Sequence, residues 1–372
     1  MIKVLHFYKT YYPDTQGGVE QVIFQLAQGG LSHGIESQVL YLSAKGAARN
    51  LTVGNHVTHR SKQDLFIAST GLSVSGMRDF KELAAQADVV HYHFPWPYMD
   101  LAHFITRMNK PSVVSYHSDI IKQKTLLKLY QPLMNQFLGS VDRLVVSSPN
   151  YAASSEVLTR FRDKVSVVPF GLDRSTYPVP SPERLAHWKE QLGERFFLFV
   201  GALRYYKGLD FLLDAAHQSK LPVVILGGGF EEQALKAKAN ALGLTNVKFV
   251  GGLPDEDKSA LLMLCEAFVM PSHLRSEAFG ISLLEAAMYG KPLISCEMGS
   301  GTTFINIANE TGLVVPPQDP SALAAAMTTL WNDASLRQRM GQKAVERFES
   351  VFRSEQMVES YARIYRDLIS RT

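Results

Sequence analysis

A short apolar strand, a glycine-ended loop, an amphipathic helix and a second strand follow one another within the first 43 residues. That order leaves few folds open. Residues 2–8 read IKVLHFY, a short apolar run suited to a buried strand. The loop KTYYPDTQGG ends in Gly17-Gly18, and Val19, Val22, Ile23, Leu26 and Ala27 fall on one face of the helix after it. Gly29-Gly30 stop that helix, and SQVLYLS (37–43) is the next strand. Such a strand–helix–strand step is the building unit of a parallel sheet. ADVVHYH (87–93), PSVVSYH (111–117), RLVVSS (143–148) and VSVVPFG (165–171) continue it, and the expected fold class is α/β with a doubly wound sheet.

The pattern then pauses and restarts. LDRSTYPVPSPER (172–184) carries three prolines and little apolar content, and reads as a linker. RFFLFVGAL (195–203), PVVILGGG (222–229), NVKFVGGL (246–253), EAFVMPS (266–272), KPLISCE (291–297) and GLVVPP (312–317) are the strands of a second α/β domain. The tail from Pro320 is helical. A chain of 372 residues is long enough for two such domains. Its longest apolar run, Phe196–Leu203, falls far short of the roughly 20 residues that span a bilayer. Two cysteines, Cys265 and Cys296, make no disulfide framework, and MIKVLHFYKTYYP lacks the regions of a signal peptide. A cytoplasmic protein is the expectation. Net charge is +3, split as +5 over residues 1–170 and −2 over the rest. The basic half suits phosphates or an anionic membrane surface, or is ordinary surface scatter.

Three motifs carry candidate chemistry. Gly17-Gly18 lets backbone approach an anion or a sugar beside a helix N-terminus, or is simply a tight turn; it is not the dinucleotide fingerprint. In GALRYYKG (201–208), Arg204 and Lys207 leave a strand end together. A planar fork and a point charge suit a diphosphate, and a solvated charged turn fits equally. SEAFGISLLEAAMYGKP (276–292) holds Glu277 just before a helix start at Gly280, and Glu285 as the one charge inside that helix. The helix is apolar on nearly every side, so Glu285 needs a partner: a ligand diol or a structural salt bridge. The amides of Phe279, Gly280 and Ile281 are placed for a phosphate, which leaves Glu277 to neutral hydroxyls. Asp255-Glu256-Asp257 resembles a metal-binding Asp-x-Asp, but it opens a helix, where acids favour the dipole. His91 and His93 alternate on a strand end with no Cys or acidic cluster in nearby sequence, so no metal is expected there.

Taken in order, the Gly-Gly turn, the R…KG loop, the glycine-ended strand ILGGG and SEAFGISLLEA resemble the retaining glycosyltransferases of family 4. VLHFYKTYYPDTQGGVEQVIFQLA is similar to bacterial mannosyl- and rhamnosyltransferases of O-antigen or exopolysaccharide synthesis. The resemblance implies a GT-B fold, two Rossmann-like doubly wound domains facing across a cleft. Residues 1–172 would bind the acceptor and 185–352 the nucleotide sugar, with 353–372 a helix packing back on the first domain. It implies His117, Arg204, Lys207 and Glu277 as catalytic. Gly17, Gly18, Arg204, Lys207, Glu277, Ala278, Phe279, Gly280, Ile281 and Glu285 would bind the donor: Glu277 the sugar hydroxyls, Glu285 the ribose diol, Arg204 and Lys207 the diphosphate. His117 reads otherwise as a satisfied strand-end histidine. Relatives often carry Gly-Asp-Gly where this chain has Gly227-Gly228-Gly229, which leaves the role of that loop open.

The implied reaction moves a hexose, mannose from GDP-mannose first, to a lipid-linked glycan, with no cofactor, no metal and no nucleic-acid partner. GDP-rhamnose and UDP-sugars are alternative donors, and an epimerase or a non-catalytic sugar-nucleotide binder are alternative functions. In KQKTLLKLYQPLMNQF (122–137), Lys122, Lys124 and Lys128 with Leu127, Tyr130 and Met134 suit peripheral contact with the inner face of the cytoplasmic membrane, or a helix packing on its own sheet.

Overall fold

The computed structural model describes residues 1–45, 50–67, 70–121 and 124–371. The chain divides into two compact units: Met1–Gly171 with Arg353–Thr372, and Leu172–Phe352. In the first, the described strands are β1 (Ile2–Phe7), β2 (Ile35–Ser43), β3 (Asn50–Val53), β4 (His56–Lys62), β5 (Leu65–Ile67), β6 (Thr70–Leu72), β7 (Val89–Phe94), β8 (Ser112–Tyr116), β9 (Arg143–Val146) and β10 (Val165–Val167). Eight of them form one sheet in the order β10-β9-β8-β7-β1-β2-β4-β3, parallel throughout except for the β3–β4 pair, while β5 and β6 make a separate hairpin. Strand β7 is buried along its whole length, as a parallel strand between two helical layers must be. Strand order reverses between β1 and β7, the place where open α/β sheets bind ligands at their strand C-termini.

Strands β3 to β6 escape the periodicity reading for a visible reason. In HVTHRSK of β4 the buried positions are His56, Thr58 and Ser61, while Val57 is exposed. Polar side chains occupy the inward face, satisfied by bonds such as Tyr11 Oη to His56 Nε2 at 2.9 Å, so no apolar alternation marks the strand. The helix Ser354–Ile369 joins this first unit through buried Tyr361 and Tyr365. A Cβ on Gly171 would lie 2.4 Å from the Arg353 carbonyl, so only glycine fits where the chain leaves the unit and returns to it.

The second unit holds β11 (Phe197–Val200), β12 (Val223–Leu226), β13 (Val247–Gly251), β14 (Ala267–Met270), β15 (Leu293–Cys296) and β16 (Gly312–Val315). They form an all-parallel sheet in the order β13-β12-β11-β14-β15-β16, with the reversal between β11 and β14. Phe197, Phe199, Leu212, Leu213, Val269, Ile294 and Met327 are core residues around it. Residues 172–184 differ from the linker expected of them. They lie in the second unit, with a 3-10 turn at Arg174–Thr176, a nearly buried Tyr177 and the start of a helix, Pro182–Leu192. That helix begins on a Ser181 cap with proline in its first turn, a start signal that the surrounding prolines obscure in the sequence.

Candidate active site

In the second unit the candidate residues collect where strand order reverses. The chain leaves β11, makes a 3-10 turn over Tyr205–Lys207, and enters the helix Leu209–Ser219 through Gly208 at φ 69°. A Cβ on Gly208 would stand 2.0 Å from the Pro271 carbonyl oxygen, beyond the end of β14. Glycine therefore lets the loops after the two switch strands touch, and His273 N–H donates to the Tyr206 carbonyl at 3.0 Å to hold them together. The triple glycine after β12 is explained likewise: Gly227, at φ 133°, would drive a Cβ to 2.0 Å from the Gly201 carbonyl. Gly229 is likewise crowded by Leu203, but at the middle position, Gly228, a Cβ would meet only Glu232 Oε2 at 3.4 Å, so packing does not explain the missing acidic residue there.

This closure joins Lys207 to Glu277. Lys207 Nζ lies 2.5 Å from Glu277 Oε2, each side chain 10% exposed, and Ser272 Oγ donates to the same oxygen at 3.2 Å. Burial alone would lower the Lys207 ammonium; the Glu277 carboxylate, with Tyr206, more than offsets this and holds it above the ordinary lysine range. Among the described residues no donor reaches Glu277 Oε1. Arg204 is exposed at the rim, its guanidinium 5.2 Å from the ring centroid of the equally exposed Phe230.

The helix Ile281–Met288 starts from Gly280 at φ 101°, a left-handed position that a side chain would strain. Its first N–H groups have no acceptor within the helix. Ala278 and Phe279 are buried in the approach, where the Ala278 carbonyl accepts from Gly301 N–H at 2.7 Å. Glu285 is buried within the helix and accepts at Oε1 from Tyr177 Oη and from Lys258 Nζ, both at 3.0 Å. Burial would lower the Lys258 ammonium, but Glu285 and Asp255 drive it well above its usual range. The salt-bridge reading of Glu285 thus holds for one of its oxygens; no donor among the described residues reaches Oε2. Asp255, Glu256 and Asp257 occupy the first turn of the helix Asp255–Leu264 and pair with Lys258, Arg184 and, for Asp257, also Trp188.

In the first unit, Gly17 caps the helix Gly18–Gly30, and both glycines are exposed. Glu20 lies directly behind them: it accepts from Thr10 and Thr15, and a Cβ on Gly17 would meet its Oε2 at 2.6 Å. A carboxylate at this helix start opposes phosphate binding and favours a neutral sugar. His117 follows β8, donates its backbone N–H to the Phe94 carbonyl at 3.0 Å, and has His93 Nδ1 3.0 Å from its Nε2. Burial pushes its imidazole down to about 3, and the nearby Lys9 charge adds to this.

The family models agree with the division. "Glycosyltransferase Family 4" matches residues 16–176 and "Glycosyl transferases group 1" matches residues 182–347. The chain is 58% identical over 351 residues to the D-rhamnosyltransferase WbpZ of Pseudomonas aeruginosa, covering 94% of this chain and 92% of that protein. It is 50% identical over 368 residues to the O-antigen chain mannosyltransferase C of Escherichia coli, covering 99% of each. The chain is a family 4 glycosyltransferase. Its fold is GT-B: the structure of a sucrose-phosphate synthase from Thermosynechococcus elongatus superposes with a TM-score of 0.84 at 20% identity over the full length of both chains.

For this glycosyltransferase, several residues that serve the site were not visible in the sequence. Ser272, Tyr177 and Lys258 hold the two glutamates from up to 108 positions away. Lys258 was in view as part of the DEDK helix start, yet nothing local ties it to Glu285. Lys122 lies outside the described residues, as does the side chain of Lys124, the first residue of the helix Lys124–Ser140. Lys128 is exposed beside Leu129. Met134 is buried and Tyr130 donates to Asp100, so this apolar face serves the unit's own packing. No described helix is long and apolar enough to cross a membrane.

Proposed function

We propose that this glycosyltransferase moves a hexose, mannose from GDP-mannose, to a lipid-linked glycan in the synthesis of O-antigen or a related polysaccharide. The observation that carries the reading is the buried Lys207–Glu277 pair at the start of the helix Ile281–Met288. The named activity of the Escherichia coli relative supports the choice of sugar. In this reading Glu277 Oε1 accepts from a sugar hydroxyl, Lys207 and Arg204 stabilise the charge that grows on the departing diphosphate, and the helix amides add to them. Glu285 Oε2 takes the ribose diol. Positive side chains supply what a metal would, so the reaction needs none. In the first unit His117 is assigned to the transferred sugar and the Gly17–Gly18 turn to donor and acceptor.

Transfer proceeds with retention through an oxocarbenium-like transition state. The anomeric bond to the phosphate oxygen breaks with its electron pair going to the diphosphate. The acceptor oxygen bonds the same face of the anomeric carbon, and its proton passes to a donor phosphate oxygen. A second reading, GDP-rhamnose as donor, is favoured by the 58% identity to a D-rhamnosyltransferase. D-Rhamnose is D-mannose without its 6-hydroxyl, so the same Glu277 contact serves either sugar. The basic first unit, with exposed Lys128 and Leu129, suits peripheral contact with the membrane that carries a lipid-linked acceptor. Binding of GDP against UDP, followed by calorimetry, tests the nucleotide: tighter GDP binding supports the reading, and a preference for UDP removes it.

A further inference from the structure

Four histidines of the first unit lie in one layer, and only His117 has a part in the proposed reaction. His6 is on β1, His91 and His93 are on β7, and His117 follows β8. Residues two apart on a strand share a face, which gathers these rings on one side of the sheet. The His93 and His117 rings stack at 5.3 Å, His91 and His93 at 4.4 Å, and His6 sits 4.8 Å from His91. His6, His91 and His93 bring ligand atoms within 4.8 Å of one another, but each already has a hydrogen-bond partner, so the cluster satisfies itself without an ion.

The bonds run in one string. His117 Nε2 is 3.0 Å from His93 Nδ1, and His93 Nε2 is 3.1 Å from His6 Nδ1. A neutral imidazole has one N–H and one bare nitrogen. Two such bonds in series are therefore satisfied only when every N–H points the same way along the string. In one arrangement His117 donates to His93 and His93 to His6, and His117 Nδ1 is a bare acceptor. In the other the donors reverse, and His117 Nδ1 carries the proton. Mixed arrangements leave two lone pairs or two N–H groups facing each other inside the unit, at a cost of a lost buried hydrogen bond.

His91 stays out of this string. It uses both nitrogens on Tyr365 Oη at 2.7 Å and Ser115 Oγ at 2.8 Å, and Ser115 meets Tyr361 Oη at 2.6 Å. The C-terminal helix Ser354–Ile369 thus occupies a ring that packs on both His6 and His93 without competing for their nitrogens. Burial pushes all four histidines below their ordinary range, so the string is neutral near pH 7. Around His117 the remaining neighbours are Tyr8 and Lys9 after β1 and Phe170 at the end of the unit.

We propose that His93 and His6 are positioning residues for sugar transfer: their hydrogen-bonded string fixes the ring plane of His117 and ties its tautomer to theirs, so that Nδ1 changes protonation state only when all three rings change together. This rests on the reading of His117 as the residue that meets the sugar. The remote pair gives His117 a partner that couples the choice of protonated nitrogen to the two rings behind it.

Nitrogen-15 histidine NMR of the full chain, with turnover of the GDP-sugar, tests it. In the wild type, His117, His93 and His6 stay neutral from pH 6 to 8 and carry the proton on the same kind of nitrogen, all Nε2 or all Nδ1. His93→Leu frees the His117 tautomer from that of His6 and lowers kcat by about tenfold to a hundredfold, with a smaller change in KM for the donor. His93→Asn places an amide near the former Nδ1 and recovers most of the loss. Wild-type kcat and unchanged His117 signals in His93→Leu, alongside an inactive His117→Ala, overturn the inference and leave the reading of His117 standing. Full turnover in His117→Ala removes that reading itself. Should His93→Leu not fold, the wild-type spectrum still decides: a His117 whose tautomer differs from those of His93 and His6, or that titrates near 6.5, contradicts the inference.

Discussion

Each glutamate of the site is bound to the protein through one oxygen and leaves the other without a protein donor among the described residues. That division is what a ligand-binding carboxylate needs, since it is held rigidly and still has an acceptor to offer. Glu277→Ala removes the sugar contact and also strands the Lys207 ammonium inside the unit. Turnover is expected to fall by at least about 10²-fold. Stability is expected to fall by roughly 3 kcal/mol, the scale for breaking a buried ion pair. Steady-state kinetics and chemical denaturation check both, and near-wild-type turnover would sink the role of Glu277. Tyr177→Phe removes one donor to Glu285 and is expected to raise the donor KM several-fold while kcat changes little. An unchanged KM would show that Tyr177 does not orient the carboxylate. At this scale the identities of Arg204, Lys207, Glu277 and Glu285 were legible as residue types at strand ends and a helix start. Their partners were not, because the Lys207–Glu277 pair joins two loops that only the order of β11 and β14 brings together.

Elements show the same division between local signals and long-range ones. The fully apolar strands and the helix ending at Gly290 could be read directly, because burial on both faces leaves an unbroken apolar run. The edge region β3–β4 could not, since its inward side chains, His56, Thr58 and Ser61, are polar. The helix start at Gly280 carries a prediction of its own. Gly280→Ala forces a side chain into φ 101° and is expected to cost about 1–3 kcal/mol. A thermal midpoint equal to that of the wild type would contradict the positive φ. The histidine layer predicts a pH dependence of stability. His6 and His117 are pushed down to about 3 in the folded chain and return toward 6.5 when it unfolds. Between these values the unfolded chain holds more protons, so stability is present above about pH 6.5 and is lost as pH falls. Each such histidine contributes a slope of about 1.4 kcal/mol per pH unit. His91, His93 and His56 act in the same direction, and Asp100, raised by burial, opposes them with a single proton. Denaturation midpoints from pH 7.5 to 5 should decline; a flat profile would mean the layer is already charged.

At the scale of the whole molecule, the chain forms two α/β units and crosses between them twice, at residues 171–172 and 352–353. The two-domain α/β pattern was legible because strand and helix alternate twice along the chain. The last helix shows what was not: its role in covering the histidine layer depends on Tyr361 and Tyr365 reaching residues more than 240 positions away. In the proposed function the Lys207–Glu277 site serves transfer of a sugar from a GDP-sugar to a lipid-linked glycan. Radiolabelled GDP-mannose and GDP-rhamnose, each supplied with a lipid-linked acceptor extract, test it directly. Label should appear in the lipid-linked fraction from a GDP-sugar with the wild type and not with Glu277→Ala. Label that stays in the nucleotide pool with every GDP-sugar, or emerges there as an epimerised sugar, would contradict the claim.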